Sequence, residues 1–123
     1  MKTRQLCIIW AVCMLLLTIG CGPDSIFIRQ GLDTPSHHVN NGNQFLNSGK
    51  FDAALGEFNR AIELDPNFSP AYVGLGLVAG HSGDPEKGLE IMEKARELAQ
   101  DEDQRKNVEA GFETLREMAA KDQ

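Results

Sequence analysis

The chain has little of what catalysis or metal binding needs. Cysteine is scarce: three in 123 residues, all at or before Cys21. There is no Cys-x-x-Cys, no His-x-x-x-His and no glycine-rich phosphate loop. Two of the three histidines, His37 and His38, are adjacent, and neighbours on a helix point about 100° apart, so they cannot share one metal. Positive charge is the minority sign, with 12 Lys and Arg against 18 Asp and Glu and a formal charge of −6. An acidic chain without a basic, aromatic-interleaved patch is repelled by phosphate backbones, which excludes nucleic acid as a partner. The one long apolar run, Leu6 to Ile19, is shorter than the roughly 20 residues of a membrane-spanning helix. Asp and Glu are dense but fall on what read as exposed helix faces. No catalytic residue, metal or cofactor is expected, and the chain does not read as an enzyme.

What is present begins at the N-terminus. Lys2 and Arg4 precede the apolar run, which ends at Gly20-Cys21. A basic start, a short apolar core and a small-residue end form an export signal. The pattern resembles a bacterial lipoprotein signal, in which residues 1–20 are removed and the cysteine, here Cys21, carries lipid such as palmitate. Thr18 departs from that pattern, which usually has Leu three places before the cysteine; Leu17 stands one place early. An uncleaved N-terminal membrane helix, or a secreted protein with Cys21 incidental, are the alternatives, and all three imply export. Removal of 20 residues from 123 leaves 103, enough for one small domain. It also removes Lys2 and Arg4, taking −6 to −8, and leaves one cysteine, so no internal disulfide is possible. In a two-membrane host, Gly22 in place of the Asp that favours inner-membrane retention implies the periplasmic side of the outer membrane. Residues 21–34 read as the lipidated cysteine and a tether reaching about 40 Å when extended. Ile26-Phe27-Ile28 within it is apolar for a spacer and is expected to pack on the folded domain.

From Thr34 the chain repeats at a period of 34. His38, Gly42, Phe45, Gly49, Ala54, Leu55, Phe58, Ala61 and Leu64 return as Tyr72, Gly76, Ala79, Gly83, Gly88, Leu89, Met92, Ala95 and Leu98. A large residue, then Gly, then Ala-x-x-x-Phe, then Pro at this period resembles the tetratricopeptide repeat. The copies occupy 35–68 and 69–102. The first carries Gly42, Ala54, Phe58 and Pro66; the second carries Tyr72, Leu75-Gly76, Gly83 and Ala95. Departures are His38 and Asn41 in the first copy, and Ala79, Gly88 and Gln100 in the second.

The punctuation agrees. Thr34-Pro35, Ser69-Pro70 and Asp84-Pro85 each place a capping side chain before a proline, while Ser48-Gly49, Ser82-Gly83 and Asp65-Pro66 stop helices. Helices are predicted at 35–47, 51–64, 70–81 and 85–99, with a fifth near 103–120. The last has one apolar stripe (Val108, Phe112, Leu115, Ala119) on an otherwise charged surface, as a polar-faced cap to a repeat stack requires. The expectation is all-α: two tandem helical hairpins and a capping segment, 103–123, forming a fragment of a right-handed superhelix. Small residues at Gly42, Ala54, Ala61, Gly76 and Ala95 let helices approach, and His38 is expected to replace the motif's large residue in packing. Gly74, Gly76 and Gly80 together in one helix imply either a close approach to the backbone or a soft helix.

By the resemblance, the first helix of each hairpin lines a groove that holds a partner's extended or helical segment. Val39, Asn40, Asn43, Leu46 and Asn47, then Val73, Leu77, Gly80 and His81, take those positions, giving an apolar floor with amide rims. Alternatively, the tether or the fifth helix covers that floor. Of the lysines, arginine and asparagines with which some relatives clamp a carboxylate, only Asn43 matches. The implied function is a membrane-anchored envelope adaptor or assembly factor with a protein partner. A self-associating structural lipoprotein, a possible homo-oligomer through the open end of the stack, is the alternative. If Cys21 carries lipid, Cys21→Ser releases the protein into the non-membrane fraction on cell fractionation; retention through the apolar segment contradicts lipidation.

Overall fold

The structure is a computed structural model and describes residues 33–121. The expected export signal, Cys21 and the Ile26-Phe27-Ile28 cluster lie outside the described residues. Five helices follow in order: α1 (Pro35–Asn47), α2 (Phe51–Leu64), α3 (Ser69–His81), α4 (Pro85–Leu98) and α5 (Glu102–Lys121). Among the described residues there is no strand, and no helix is long and apolar enough to cross a membrane. α1 folds back on α2 and α3 on α4. The hairpins meet where α3 packs on both helices of the first pair, and α5 lies against α3 and α4.

The 34-residue period reproduces one turn twice. Gly49, at φ 69°, ends α1, and Gly83, at φ 93°, ends α3. In the first turn Gly49 N donates to Leu46 O at 3.0 Å and Lys50 N to Phe45 O at 2.9 Å. In the second, Gly83 N donates to Gly80 O at 3.1 Å and Asp84 N to Ala79 O at 3.0 Å. These paired bonds form a Schellman motif, which satisfies the last carbonyls of a helix by turning one residue left-handed, where glycine has no Cβ penalty.

Helix starts are fixed by side chains. Thr34 Oγ1 accepts from His37 N at 3.2 Å, and Asp84 Oδ1 from Lys87 N at 2.9 Å. Asp101 Oδ1 accepts from Gln104 N at 2.8 Å, while the Gln104 side chain accepts from Gln100 N at 3.0 Å, so α5 begins on a reciprocal clasp. Ser69 differs from expectation. It belongs to the helix, and its buried hydroxyl donates to the carbonyl of Ala95 at 2.8 Å, tying the start of α3 to the last turn of α4. Phe68 stands at the N-cap without a side-chain bond. Tertiary bonding won because Ser69 is sealed from water, where an unpaired hydroxyl costs more than an uncapped exposed amide.

The core has two parts. Val39, Ala54, Phe58, Ala61, Ala71 and Val78 join α1, α2 and α3; Met92, Ala95, Val108, Phe112 and Leu115 join α4 and α5, with Tyr72, Val73 and Leu77 of α3 packed on them. Phe58 is fully buried, with Gly42 of α1 and Gly74 of α3 both against its ring. A Cβ on Gly42 would sit 2.6–2.9 Å from three ring atoms, and one on Gly74 closer still. α3 also touches α4 backbone to backbone: a Cβ on Gly88 would lie 2.7 Å from the Gly76 carbonyl oxygen. Gly80 is pressed by Leu115 and Met118 of α5. The glycines of α3 are therefore close-packing sites on three sides of one central helix, which decides between the two readings their sequence allows.

Gly74→Ala should destabilise the domain by about 1–3 kcal/mol through overpacking against Phe58, with part of the loss recovered in Gly74→Ala/Phe58→Leu. Gly56, in α2 with nothing near its Cβ direction, is the control: Gly56→Ala should stabilise by up to ~1 kcal/mol. Urea unfolding followed by circular dichroism measures all four proteins.

Candidate partner-binding groove

Stacking leaves the first helices of the two hairpins, α1 and α3, side by side, and α5 extends the row as a third. A groove of about 430 Å³ runs across them. Its lining is Val39, Asn40 and Asn43 from α1, Pro70, Val73 and Leu77 from α3, and Asn107, Ala110, Gly111 and Thr114 from α5. The positions recur by period: Val39, Val73 and Asn107 at one level, Asn43, Leu77 and Gly111 at the next, each 34 residues apart. Gly111 brings the third helix close, since a Cβ there would meet the Met92 side chain at 2.5–2.9 Å.

None of the ten lining residues is charged, although 24% of the chain is. The floor is aliphatic and the polar atoms are the exposed amides of Asn40, Asn43 and Asn107. The Thr114 hydroxyl is occupied, donating to Ala110 O at 3.0 Å. Such a surface desolvates without stripping water from an ion, and its amides can bond a passing main chain. It offers no acid, base or nucleophile. Among the described residues no group of three His, Cys, Asp or Glu side chains is placed to hold a metal ion either.

Five of the nine positions singled out by sequence lie in this groove: Val39, Asn40, Asn43, Val73 and Leu77. Four lie elsewhere. Leu46 is packed against the α1–α2–α3 core, Asn47 is exposed in the last residue of α1, and His81 stacks on Phe51 of α2 with ring centroids 5.4 Å apart. Gly80 is buried under Leu115. In these last turns His81 faces α2 and Gly80 faces α5, so the groove ends a turn earlier than a list of first-helix positions suggests. Val39 is also core, at 7% exposure. The fifth helix does not lie over the floor; it forms the far wall. Two of its four residues, Asn107 and Gly111, are found by carrying the period one step past Val73 and Leu77.

A cleft between α4 and α5 is charged instead. There Arg96 pairs with Glu109 at 3.3 Å and Arg105 with Glu102 at 3.4 Å, so four of its six charged residues are paired with each other. Arg96 also lies over the Phe112 ring at 4.1 Å.

His38 does more than fill space. Its Nδ1 is 2.7 Å from Glu57 Oε2 on α2, and its Nε2 is 2.8 Å from Asp33 Oδ1 in the chain entering α1. Asp33 Oδ2 also accepts from Arg60 at 2.8 Å, and Asn41 donates to Glu57 at 3.3 Å. Burial pulls the imidazole pKa down, but the two carboxylates outweigh it and raise it above 6.5. Arg60 and then His38 hold Asp33 below the usual carboxylate range. No sequence motif marks this cluster, because its members come from three segments.

Residues 42–83 match the family profile described as "TPR repeat", spanning the second half of α1 through the turn after α3. The helix pairs of this chain are tetratricopeptide repeats. A curated relative, "DnaJ protein P58IPK homolog B" of Oryza sativa subsp. japonica, is 33% identical over 90 residues, covering 67% of this chain and 19% of the relative. The chain thus spans about a fifth of that relative's length. Tetratricopeptide repeats generally mediate protein–protein interaction and are typically non-catalytic.

The groove's third wall depends on Leu115, fully buried between Gly80 and Gly88. Leu115→Ala should cost about 2–5 kcal/mol and expose amides of α5 first. Native-state hydrogen exchange reads this out; equal loss of protection in α1 and α5 would contradict separate docking of the cap.

Proposed function

We propose that this chain is a protein-interaction module whose α1–α3–α5 groove holds an apolar, uncharged segment of a partner protein. The observation that carries this reading is the lining itself: aliphatic floor, three open amides and no charge, on a surface otherwise rich in Asp, Glu, Lys and Arg. A segment bearing a carboxylate or ammonium would enter with no counter-charge, at a desolvation cost the groove does not offset. An extended stretch would bond Asn40, Asn43 and Asn107 through its main chain, and an extended or short helical one would rest its side chains on Val73 and Leu77. The export signal supports an envelope location, with lipid on Cys21 as anchor and the groove serving as adaptor or assembly site for another envelope protein.

Selection of a random peptide library on the purified protein tests the groove. Enriched sequences should be apolar and uncharged, and their affinity should fall at least tenfold in Asn43→Arg, which places a large cation on the rim without touching the core. Retention of full affinity in Asn43→Arg, with helicity unchanged, contradicts the assignment.

A further inference from the structure

The groove has two unlike walls. On α1 it presents the exposed carboxamides of Asn40 and Asn43. On α5 it presents Asn107 at one end and, beyond it, only Ala110, Gly111 and Thr114, whose hydroxyl is turned onto its own helix at Ala110 O, 3.0 Å away. The period puts Leu46, Gly80 and Thr114 at one level. Leu46 packs on the α1–α2–α3 core and Gly80 lies under Leu115, so of the three only Thr114 lines the groove. We propose that the groove takes an extended, neutral segment whose main chain bonds along α1, and that its far end, between Leu77 and Thr114, seats one bulky apolar side chain whose size Thr114 sets. This rests on the groove being the partner site and names what the partner must carry.

Spacing selects an extended chain. Asn40 and Asn43 stand one turn apart on α1, with about 5–6 Å between their Cβ atoms. A strand presents N–H and C=O groups to one edge at every second residue, about 6.6–6.8 Å apart. That is within the swing of carboxamides, which both donate and accept. A helical segment spends those groups on itself and would cover the two amides without pairing them. Charge selects a neutral segment, because no lining residue offers a counter-charge to a carboxylate or an ammonium. The seat follows from size. α1 and α3 bring Asn43 and Leu77 to the level where α5 brings Gly111, and a Cβ on Gly111 would point at Met92 rather than into the groove. The α5 wall opposite Leu77 is therefore built by Ala110 and Thr114, both small. Ala110 also faces the charged cleft between α4 and α5, so Thr114 is the wall residue whose enlargement narrows the groove. An aliphatic floor beside a small wall without a free donor holds a side chain by burial alone.

The test pans a random peptide library on the purified full chain. Binders should share one large aliphatic or aromatic residue at a fixed place. An alanine scan of the best peptide should lose affinity at positions two apart, as one face of a strand requires. Thr114→Leu puts a strong helix former at a half-buried wall position; it should keep the parent's helicity and lower that peptide's affinity about tenfold or more. The same peptide with its seated residue cut to alanine should bind Thr114→Leu at least as well as it binds the unaltered chain, a rescue that an unfolded variant could not give. The scan uses the unaltered chain, so it decides even if the variant loses structure. Absence of binders, or binders unmoved by Asn43→Arg, overturns the groove as partner site and the seat with it. Binders weakened by Asn43→Arg whose losses fall three or four apart, that share no fixed bulky residue, or that bind Thr114→Leu with full affinity overturn the seated, extended segment and leave the groove standing.

Discussion

One ring holds the first hairpin to the second. Phe58 leaves α2 and enters a slot bounded by Gly42 of α1 and Gly74 of α3, so the bulk of one helix is matched by missing side chains on two others. Three helices converge on a single aromatic, which neither hairpin could bury alone. A void or a surplus methyl there is felt by all three, because protein interiors are packed at crystal-like density. The second hairpin solves the same problem differently. Its Met92 is equivalent to Phe58, and Gly88 replaces Ala54, so α3 and α4 approach until backbone meets backbone and Leu115 of α5 fills the remaining space.

The groove follows from that packing. With Phe58 and Met92 drawing the second helices under α3, the first helices spread on the other side into a row, and α5 joins it because Gly80, Gly88 and Gly111 let it approach. The cap thus serves twice. Its buried stripe packs on α3 and α4, and its other face exposes Glu109, Glu113, Arg116, Glu117 and Lys121. A chain with two repeats keeps a three-helix binding face in this way.

Much of this was legible in the sequence because the period, the prolines and the turn glycines act locally. Gly49 and Gly83 specify helix ends through their own φ angles, and Thr34 and Asp84 cap the amides three residues on. What escaped was non-local. Ser69 has the sequence of a cap, but its partner is Ala95, 26 residues away. The α3 glycines could not be interpreted until Phe58, Gly88 and Leu115 were seen against them. His38 reads as a filler until Asp33 and Glu57 are found on its two nitrogens. The groove was read from α1 and α3 with its α5 wall missing, since the cap departs from the repeat consensus while retaining its register.

The most direct measurement is a two-dimensional NOE spectrum of the protein. Phe58 ring protons should show cross-peaks to the Hα protons of both Gly42 and Gly74, with those Hα resonances shifted upfield by the ring. Cross-peaks to only one of the two glycines, or glycine Hα shifts at random-coil positions, would mean that Phe58 does not bridge the hairpins, and the groove built on that bridge would not stand.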